Sequence, residues 1–392
     1  RNHFGGIYLQ EYCPRQKKLI GDIVNIFKGT ELGFTEAPHL YKRDGYYYLV
    51  TAEGGTGYTH AMTLARSRNL AGPYEVDPQG YLLTAKDHPE LELQRAGHGS
   101  LVDLPNGESY LVHLCGRPLD GVLRCPHGRE TGLQKTEWTR DGWLRLEGAS
   151  GDGLPQLMVP APDIKEQPWP EESTCHEFDS TILPSEFQWL RTPEPETFMS
   201  LTERPGYLRL KGKSSLGNWF EQALVARRQE AFCFSAETKL EFSPVNFQQC
   251  AGLVCYYNAH KYHYLYVSVD EQGRRFVDIM SCLGDPTGQA TYLLSVSRGD
   301  TASDDIGIEI PQHGAVCLRC DVEYAELVFS WSLDGEEWQK IPVTLDYSLV
   351  SDEAGQGEGA SFTGAVVGVC CQDVSGTDLP AEFGYFHYKE VK

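Results

Sequence analysis

The stretch "PHLYKRDGYYYLV", residues 38–50, decides the reading of this chain. Runs rich in Tyr, Leu and Val flank Asp44-Gly45, a turn signal that predicts a β-hairpin. A second stretch, "GSLVDLPNGESYLV" (99–112), repeats the arrangement. Gly107 matches Gly45 and Leu111 matches Leu49, a period of about 62 residues. Two more strand-like runs follow each hairpin, "MTLARSRNLAGPYEV" (62–76) and "LQKTEWTRDGWLRL" (133–146). Each unit reads as four short antiparallel strands, the pattern of a propeller blade. Two unrelated hairpins are the alternative. The run "GGIYLQEYCPRQKKLIGDIVNIFKG" before them reads as the outer strands of an earlier blade. The expected content is about two and a half to three blades, whereas a closed propeller needs at least four. The expectation is therefore a partial propeller.

Outward from this region the same chemistry continues. Helical periodicity is nearly absent, and runs such as "YLRLKG", "YHYLYVSVD", "ELVFSWSLDG" and "FGYFHYKEV" alternate like strands. The chain is read as all-β. Residues 151–173 hold five prolines and no strand run, which predicts a linker or a wrapping segment. The expected division is a propeller part at 1–150, the Pro-rich linker at 151–173 and a β-sandwich of concanavalin or laminin-G type at 174–392.

Bulk properties narrow the function. At 392 residues the chain is too long for one ordinary core. Its formal net charge of -21 argues against nucleic acid or an anionic membrane surface and suits a neutral substrate. No apolar run approaches the ~20 residues that span a bilayer. The first residue is Arg1, and no signal peptide is visible. Six of the 12 cysteines (Cys233, Cys255, Cys317, Cys320, Cys370 and Cys371) sit in strand-like runs. The Cys317–Cys320 spacing superficially suggests metal, but no second Cys/His pair follows, so buried free thiols are expected. Free thiols lean towards a reducing, cytoplasmic setting.

Few residues suggest chemistry. Glu36 opens a strand that would line a propeller channel, with Pro38 stiffening the turn. A carboxylic acid partly buried there would have a raised pKa suited to general acid work. A cap or a surface charge is equally compatible with its position. His98 opens the equivalent strand of the next blade, as a ligand for a central divalent cation, a substrate contact or a structural imidazole. Arg129, in "CPHGRETGLQ", could bind sugar hydroxyls through its fork or pair with Glu130. Gly54, Gly55 and Gly57 look like a phosphate loop by composition alone, since no helix follows. His260 and His263 have no third ligand nearby in sequence.

The stretches "TEAPHLYKRDGYYYLVTAEGGTGYTHAMTLARSRNLAGPYEV", "GHGSLV", "GRPL", "CPHGRETGLQ" and "NFQQCAGLVCYYN" resemble β-xylosidases of glycoside hydrolase family 43. The resemblance is to the branch with a five-bladed propeller followed by a β-sandwich, and it covers essentially the whole chain. It implies an inverting glycosidase that releases xylose from the non-reducing ends of xylo-oligosaccharides, with α-L-arabinofuranosidase side activity. It implies Glu36 as general acid, Arg129 and His98 as substrate-binding residues, and Phe362 as an aromatic wall. It also implies no required cofactor, a small oligosaccharide as partner and a homo-oligomeric state. Ala37, His127 and Gly99 depart from the family's usual Gly, Leu and Ala. The family's catalytic base, an Asp in an N-P-x-x-x-D-P-S-like motif, has no counterpart here. The expectation is that the base is encoded upstream of residue 1. The competing reading is a non-catalytic carbohydrate-binding protein that stacks sugars on Trp189, Trp219 and Tyr256, or an inactive fragment.

Overall fold

A computed structural model describes residues 5–148, 152–170, 173–284, 292–293, 307–354 and 363–391. Among these the regular structure is β-strand with two short 3₁₀ turns. The chain divides into two compact units, residues 1–118 with 129–167, and residues 119–128 with 168–392.

The first unit begins with an antiparallel pair, β1 (Ile7–Cys13) and β2 (Lys18–Phe27). A sheet follows from β3 (Glu36–Arg43), β4 (Tyr46–Glu53), β5 (Ala61–Ser67) and β6 (Glu75–Val76), paired in chain order. A short strand, β7 (Leu83–Thr84), also pairs with β5. A second four-stranded sheet, again in chain order, contains β8 (Gln94–Asp103), β9 (Ser109–Gly116), β10 (Glu130–Trp138) and β11 (Leu144–Leu146). The repeat seen in the sequence is therefore a repeat of four-stranded meanders. Its matched residues hold matched places. Asp44 and Gly45 have φ of +49° and +78°, the backbone of a type I′ turn, and Gly107 has φ +92°. Leu49 and Leu111 are both fully buried.

The two meanders share an apolar cluster that includes Tyr48, Val50, Met62, Leu64, Leu111 and Trp143. Arg66 is held at its edge, 4.0 Å above the Trp143 ring, and donates 2.8 Å to the Asp141 carbonyl. Tyr48 Oη donates to the Gly142 carbonyl at 2.6 Å, and its ring meets Trp138 edge-on at 4.7 Å. Arg145 forks onto the buried Asp77 carboxylate and donates to Gln79 at 2.6 Å. The Pro-rich segment wraps this unit: Gln156 and Gln134 exchange amide and backbone hydrogen bonds at 2.8 and 2.9 Å, and Thr84 N donates to Gly153 O at 2.9 Å.

The second unit is two packed sheets. One runs Met199–Ser200, Leu208–Lys211, Pro380–Glu390, Cys233–Glu241, Val316–Glu323, Glu326–Ser332, Gln339–Asp346. The other runs Phe187–Gln188, Ala223–Arg228, Val366–Asp373, Gln249–Asn258, Lys261–Val269, Arg275–Leu283, Tyr292–Leu293. Alternate residues of both, among them Phe234, Leu253, Leu265, Leu318, Phe329, Val367 and Phe383, form the interior. The opposite face of the second sheet is also covered and carries Tyr256, Tyr262, Tyr264 and Tyr266. All 12 cysteines are free thiols, and most are buried. Burial pushes the Cys250 thiol up to about 12, so it packs rather than reacts. His263 is a structural residue: Nδ1 meets Ser281 Oγ at 2.7 Å and Nε2 meets Asp346 O at 3.1 Å. No helix among the described residues is long and apolar enough to cross a membrane.

Residues 119–128 leave β9, pack in the sandwich unit, and return as β10. Within that unit Cys125 N donates to the Glu353 carboxylate at 2.9 Å, Arg124 donates to Ser348 Oγ at 2.7 Å, and Ala365 N donates to Pro126 O at 2.7 Å. The His127 ring packs on Phe232 at 4.3 Å. Gly128 has φ +69°, and a Cβ there would lie 1.6 Å from the Thr363 carbonyl oxygen. Gly128→Ala should therefore cost roughly 2–4 kcal/mol from backbone strain and overpacking together. Urea unfolding of the variant beside the parent chain measures it, and an unchanged midpoint would contradict the packing.

Candidate active site

Glu36 is the first residue of β3 and is half-buried. The ladder to β4 pairs Glu36 with Ala52 and then resumes at His39 with Val50, so a bulge lies between them. Ala37 fills the bulge with φ +49°, a left-handed conformation that costs a non-glycine residue about 1–2 kcal/mol. Pro38 follows and brings no N–H to satisfy. A bulge of this kind re-aims the neighbouring side chain, and here that side chain is Glu36.

The strand bearing His98 lies beside the strand bearing Glu36. Tyr41 Oη of β3 accepts from Leu101 N of β8 at 2.9 Å, and His39 Nε2 meets Ser100 Oγ at 3.3 Å. β8 is irregular in the same way as β3. Its ladder shifts on both sides of Gly97, and Arg95 and His98 have φ of +57° and +45°. His98 is exposed, whereas Arg95 is buried and its Nε donates to the Thr56 carbonyl at 2.8 Å. That bond ties β8 to the glycine-rich turn after β4, which is a turn between strands.

His60, at the end of that turn, was not singled out in the sequence. It is 1% exposed, and neither ring nitrogen has a partner in hydrogen-bonding geometry among the described residues. Its ring packs against Gly97, where a Cβ would stand 1.6 Å from His60 Cδ2. Burial, then His98, Arg129 and Arg95, push its pKa down to about 4, with a smaller opposing effect of the Gly55 backbone. His60 is therefore a neutral imidazole near neutral pH, within electrostatic reach of two arginines and His98. Three side chains from two separate stretches, β8 and the residue before β10, act on it.

Arg129 immediately precedes β10, where Glu130 pairs with Cys115 of β9. Glu130 receives a two-pronged grip from Arg117, with Nη2 at 2.7 Å and Nε at 3.0 Å from Oε1, and the Arg117 N–H reaches Oε2 at 3.1 Å. This pair joins the "GRPL" and "GRET" stretches at the point where residues 119–128 leave and return, and so fixes the backbone beside Arg129.

A second residue missed in the sequence is Glu53, the last residue of β4, which is 1% exposed. Its carboxylate accepts from Thr30 N at 2.8 Å, Thr30 Oγ1 at 2.5 Å, Thr35 Oγ1 at 2.7 Å and Thr63 Oγ1 at 2.8 Å. Those contacts use its lone pairs and brace the approach to Glu36. Threonines at 30, 35 and 63 carry no local signal of a shared partner.

Phe362 lies outside the described residues. Among the described residues no group of three His, Cys, Asp or Glu side chains could hold a metal ion, and the charged groups around His60 beside His98 are Arg95 and Arg129. Tyr256 was expected as a surface platform, yet it is 2% exposed and stacks on Tyr262 at 6.1 Å. Strand alternation turns it into a covered apolar layer, so it offers no face to a sugar. Trp189 and Trp219 are each 36% exposed.

Two of the buried imidazoles predict a pH dependence. His60 and His263 both titrate near 4 in the folded chain, against the ordinary 6.5. Between those values the unfolded chain binds protons that the folded chain does not, so their stabilisation is complete above about pH 6.5 and is lost as pH falls towards 4. The loss is of order 3 kcal/mol for each. Melting curves from pH 7 to 4.5 should show a steep fall that is shallower in His263→Gln and in His60→Gln. Parallel slopes in all three proteins would contradict it.

Comparisons with known proteins give the family. Residues 1–144 match the family described as glycosyl hydrolases family 43, and residues 175–389 match the β-xylosidase C-terminal concanavalin A-like domain. The chain is 47% identical over 391 residues to xylosidase/arabinosidase 43B of Humicola insolens, covering 99% of this chain and 70% of that protein. It is 42% identical over 403 residues to a β-xylosidase of Bacillus subtilis, covering 100% of this chain and 72% of that protein. The crystal structure of xylan β-1,4-xylosidase from Bacillus halodurans superposes with a TM-score of 0.90 at 46% identity, over 99% of this chain and 71% of that one. With its propeller strands, its concanavalin-like sandwich and these relatives, the chain belongs to glycosyl hydrolases family 43 and is a glycosidase of the xylosidase and arabinosidase kind.

Proposed function

We propose that this protein releases xylose from the non-reducing ends of xylo-oligosaccharides with inversion, and accepts α-L-arabinofuranosides as a secondary substrate. The observation that carries the reading is the bulge at Ala37, which directly follows the Glu36–Ala52 pair and leaves Glu36 half-buried beside the strand that presents His98. Glu36 protonates the glycosidic oxygen as the bond breaks. Arg129 and His98 hold sugar hydroxyls, and His60 stays neutral beneath them. The names of the relatives, which include xylosidases and arabinosidases, support the two sugars.

Inversion needs a second carboxylate about 6.5–9.5 Å from the acid to activate water. Glu53 stands next to Glu36's ladder partner Ala52, but it is buried and saturated by threonines. We infer that Glu53 is a brace and that the water-activating carboxylate comes from outside the 392-residue sequence. The chain alone should then leave xylobiose intact in plain buffer. Sodium azide, a small nucleophile that needs no base, should restore cleavage. Glu36→Gln should cut the azide-dependent rate by roughly 10²–10⁴-fold. Turnover in plain buffer would overturn the assignment of the base, and no cleavage under either condition would overturn the reading of the site.

The Arg117–Glu130 grip gives a further test. Glu130→Ala should weaken xylobiose binding roughly 10-fold, measured by calorimetry, because Arg129 loses its fixed neighbour. Unchanged affinity would show that Arg129 is positioned by other means.

A further inference from the structure

A cleft of about 780 Å³ lies wholly within the sandwich unit, and the catalytic reading makes no use of it. Its size is that of a small-ligand site. Arg191, Phe220, Lys213, Thr197 and Ser214 line it. Phe220 is 60% exposed, an aromatic ring that the fold leaves uncovered. Its neighbour Trp219 holds the Arg191 guanidinium 4.8 Å above its ring, so that fork is fixed in place. Trp189 donates Nε1–H to the Thr192 carbonyl at 2.8 Å on the same segment.

The walls are built and braced. Asp373 accepts from Ser375 N at 3.0 Å, Ser375 Oγ at 2.5 Å, Thr377 Oγ1 at 2.6 Å and Leu379 N at 2.9 Å. Against the opposing effect of burial, these contacts hold its carboxyl down to about 2, so it stays ionised and braces the turn at pH values above that. Lys213 pairs with Asp378 at 2.9 Å. Three lining residues, Arg191, Glu221 and Asp378, hold left-handed backbone with φ of +50°, +60° and +55°. Strain of that kind persists only where the surroundings enforce it, and it concentrates at ligand sites.

The chemistry selects the ligand. The lining includes the carboxylates of Glu194, Glu221, Asp373 and Asp378 against the cations Arg191 and Lys213, which disfavours a polyanion. An exposed ring beside a fixed guanidinium, hydroxyls and carboxylates offers a flat apolar face together with donors and acceptors. A neutral sugar ring has the same two-sided character. We propose that this cleft is a second, non-catalytic site for a xylan chain, with Phe220 as the stacking platform and Arg191 as the main donor. The identity of the sugar rests on the proposed function, while the site itself rests on the cleft.

Native electrophoresis through gels with and without soluble xylan tests it, with Phe220→Ala, Phe220→Tyr and Arg129→Ala run beside the parent chain. Xylan should retard the parent, Phe220→Tyr and Arg129→Ala, and Phe220→Ala should lose at least several-fold of that retardation. Xylobiose affinity measured in parallel should fall in Arg129→Ala and hold in Phe220→Ala, which separates the two sites. Retardation that survives in Phe220→Ala, that disappears in Arg129→Ala, or that is absent from the parent would overturn the second site. Failure of xylobiose binding alone would count against the catalytic reading and leave the cleft standing.

Discussion

The absence of a side chain at Gly97 is the constraint around which the candidate site is organised. The His60 ring occupies the space where a Cβ would be, so β8 can close onto the turn after β4. The same closure buries His60 and brings it within reach of Arg95, His98 and Arg129. Loss of solvent and a concentration of positive charge keep the imidazole neutral. A charged ring in that position would repel Arg95 and Arg129. One missing methyl group thus sets both the geometry and the charge of this part of the site.

Two glutamates near one another in the same sheet have opposite fates, and their surroundings explain why. Glu53 ends a regular ladder, points inward and meets three threonine hydroxyls, so it is spent on structure. Glu36 precedes a bulge and is left half-buried. The strain of Ala37 is the energetic cost of that difference, and it recurs at Arg95 and His98 in the neighbouring strand. Strained residues gathered on two adjacent strands mark the candidate site more sharply than any single residue type does. The sandwich shows the same association at its own cleft, where the distorted positions are Arg191, Glu221 and Asp378.

Residues 119–128 illustrate how a segment can lie in one unit of the sequence and another of the structure. They fall between the second hairpin (99–112) and the strand runs that follow it (133–146), and a division at residue 150 leaves them with the propeller strands. Their hydrogen bonds go to Ser348, Glu353 and Ala365, far along the chain, and place them with the sandwich. No local pattern carries such partners, because a loop's composition reports its exposure and flexibility, not the surface it will meet.

The sequence by itself determined the architecture. Period-two alternation, Asp44-Gly45 and the 62-residue repeat are local properties of backbone and side chain, so the strands, the meanders and the all-β class were legible. The places of Glu36 and Arg129 at the start of a strand were legible from their motifs, whereas His98, read as opening its strand, is the fifth residue of β8 because that strand begins earlier, at Gln94. Tertiary structure decided the rest. Tyr256 reads as an exposed aromatic until the sheet's second face is found covered. His60, Arg95 and Glu53 acquire their roles from partners up to 69 residues away. Their burial and charge arise only when separate strands close on one another, and no window of the sequence contains that closure.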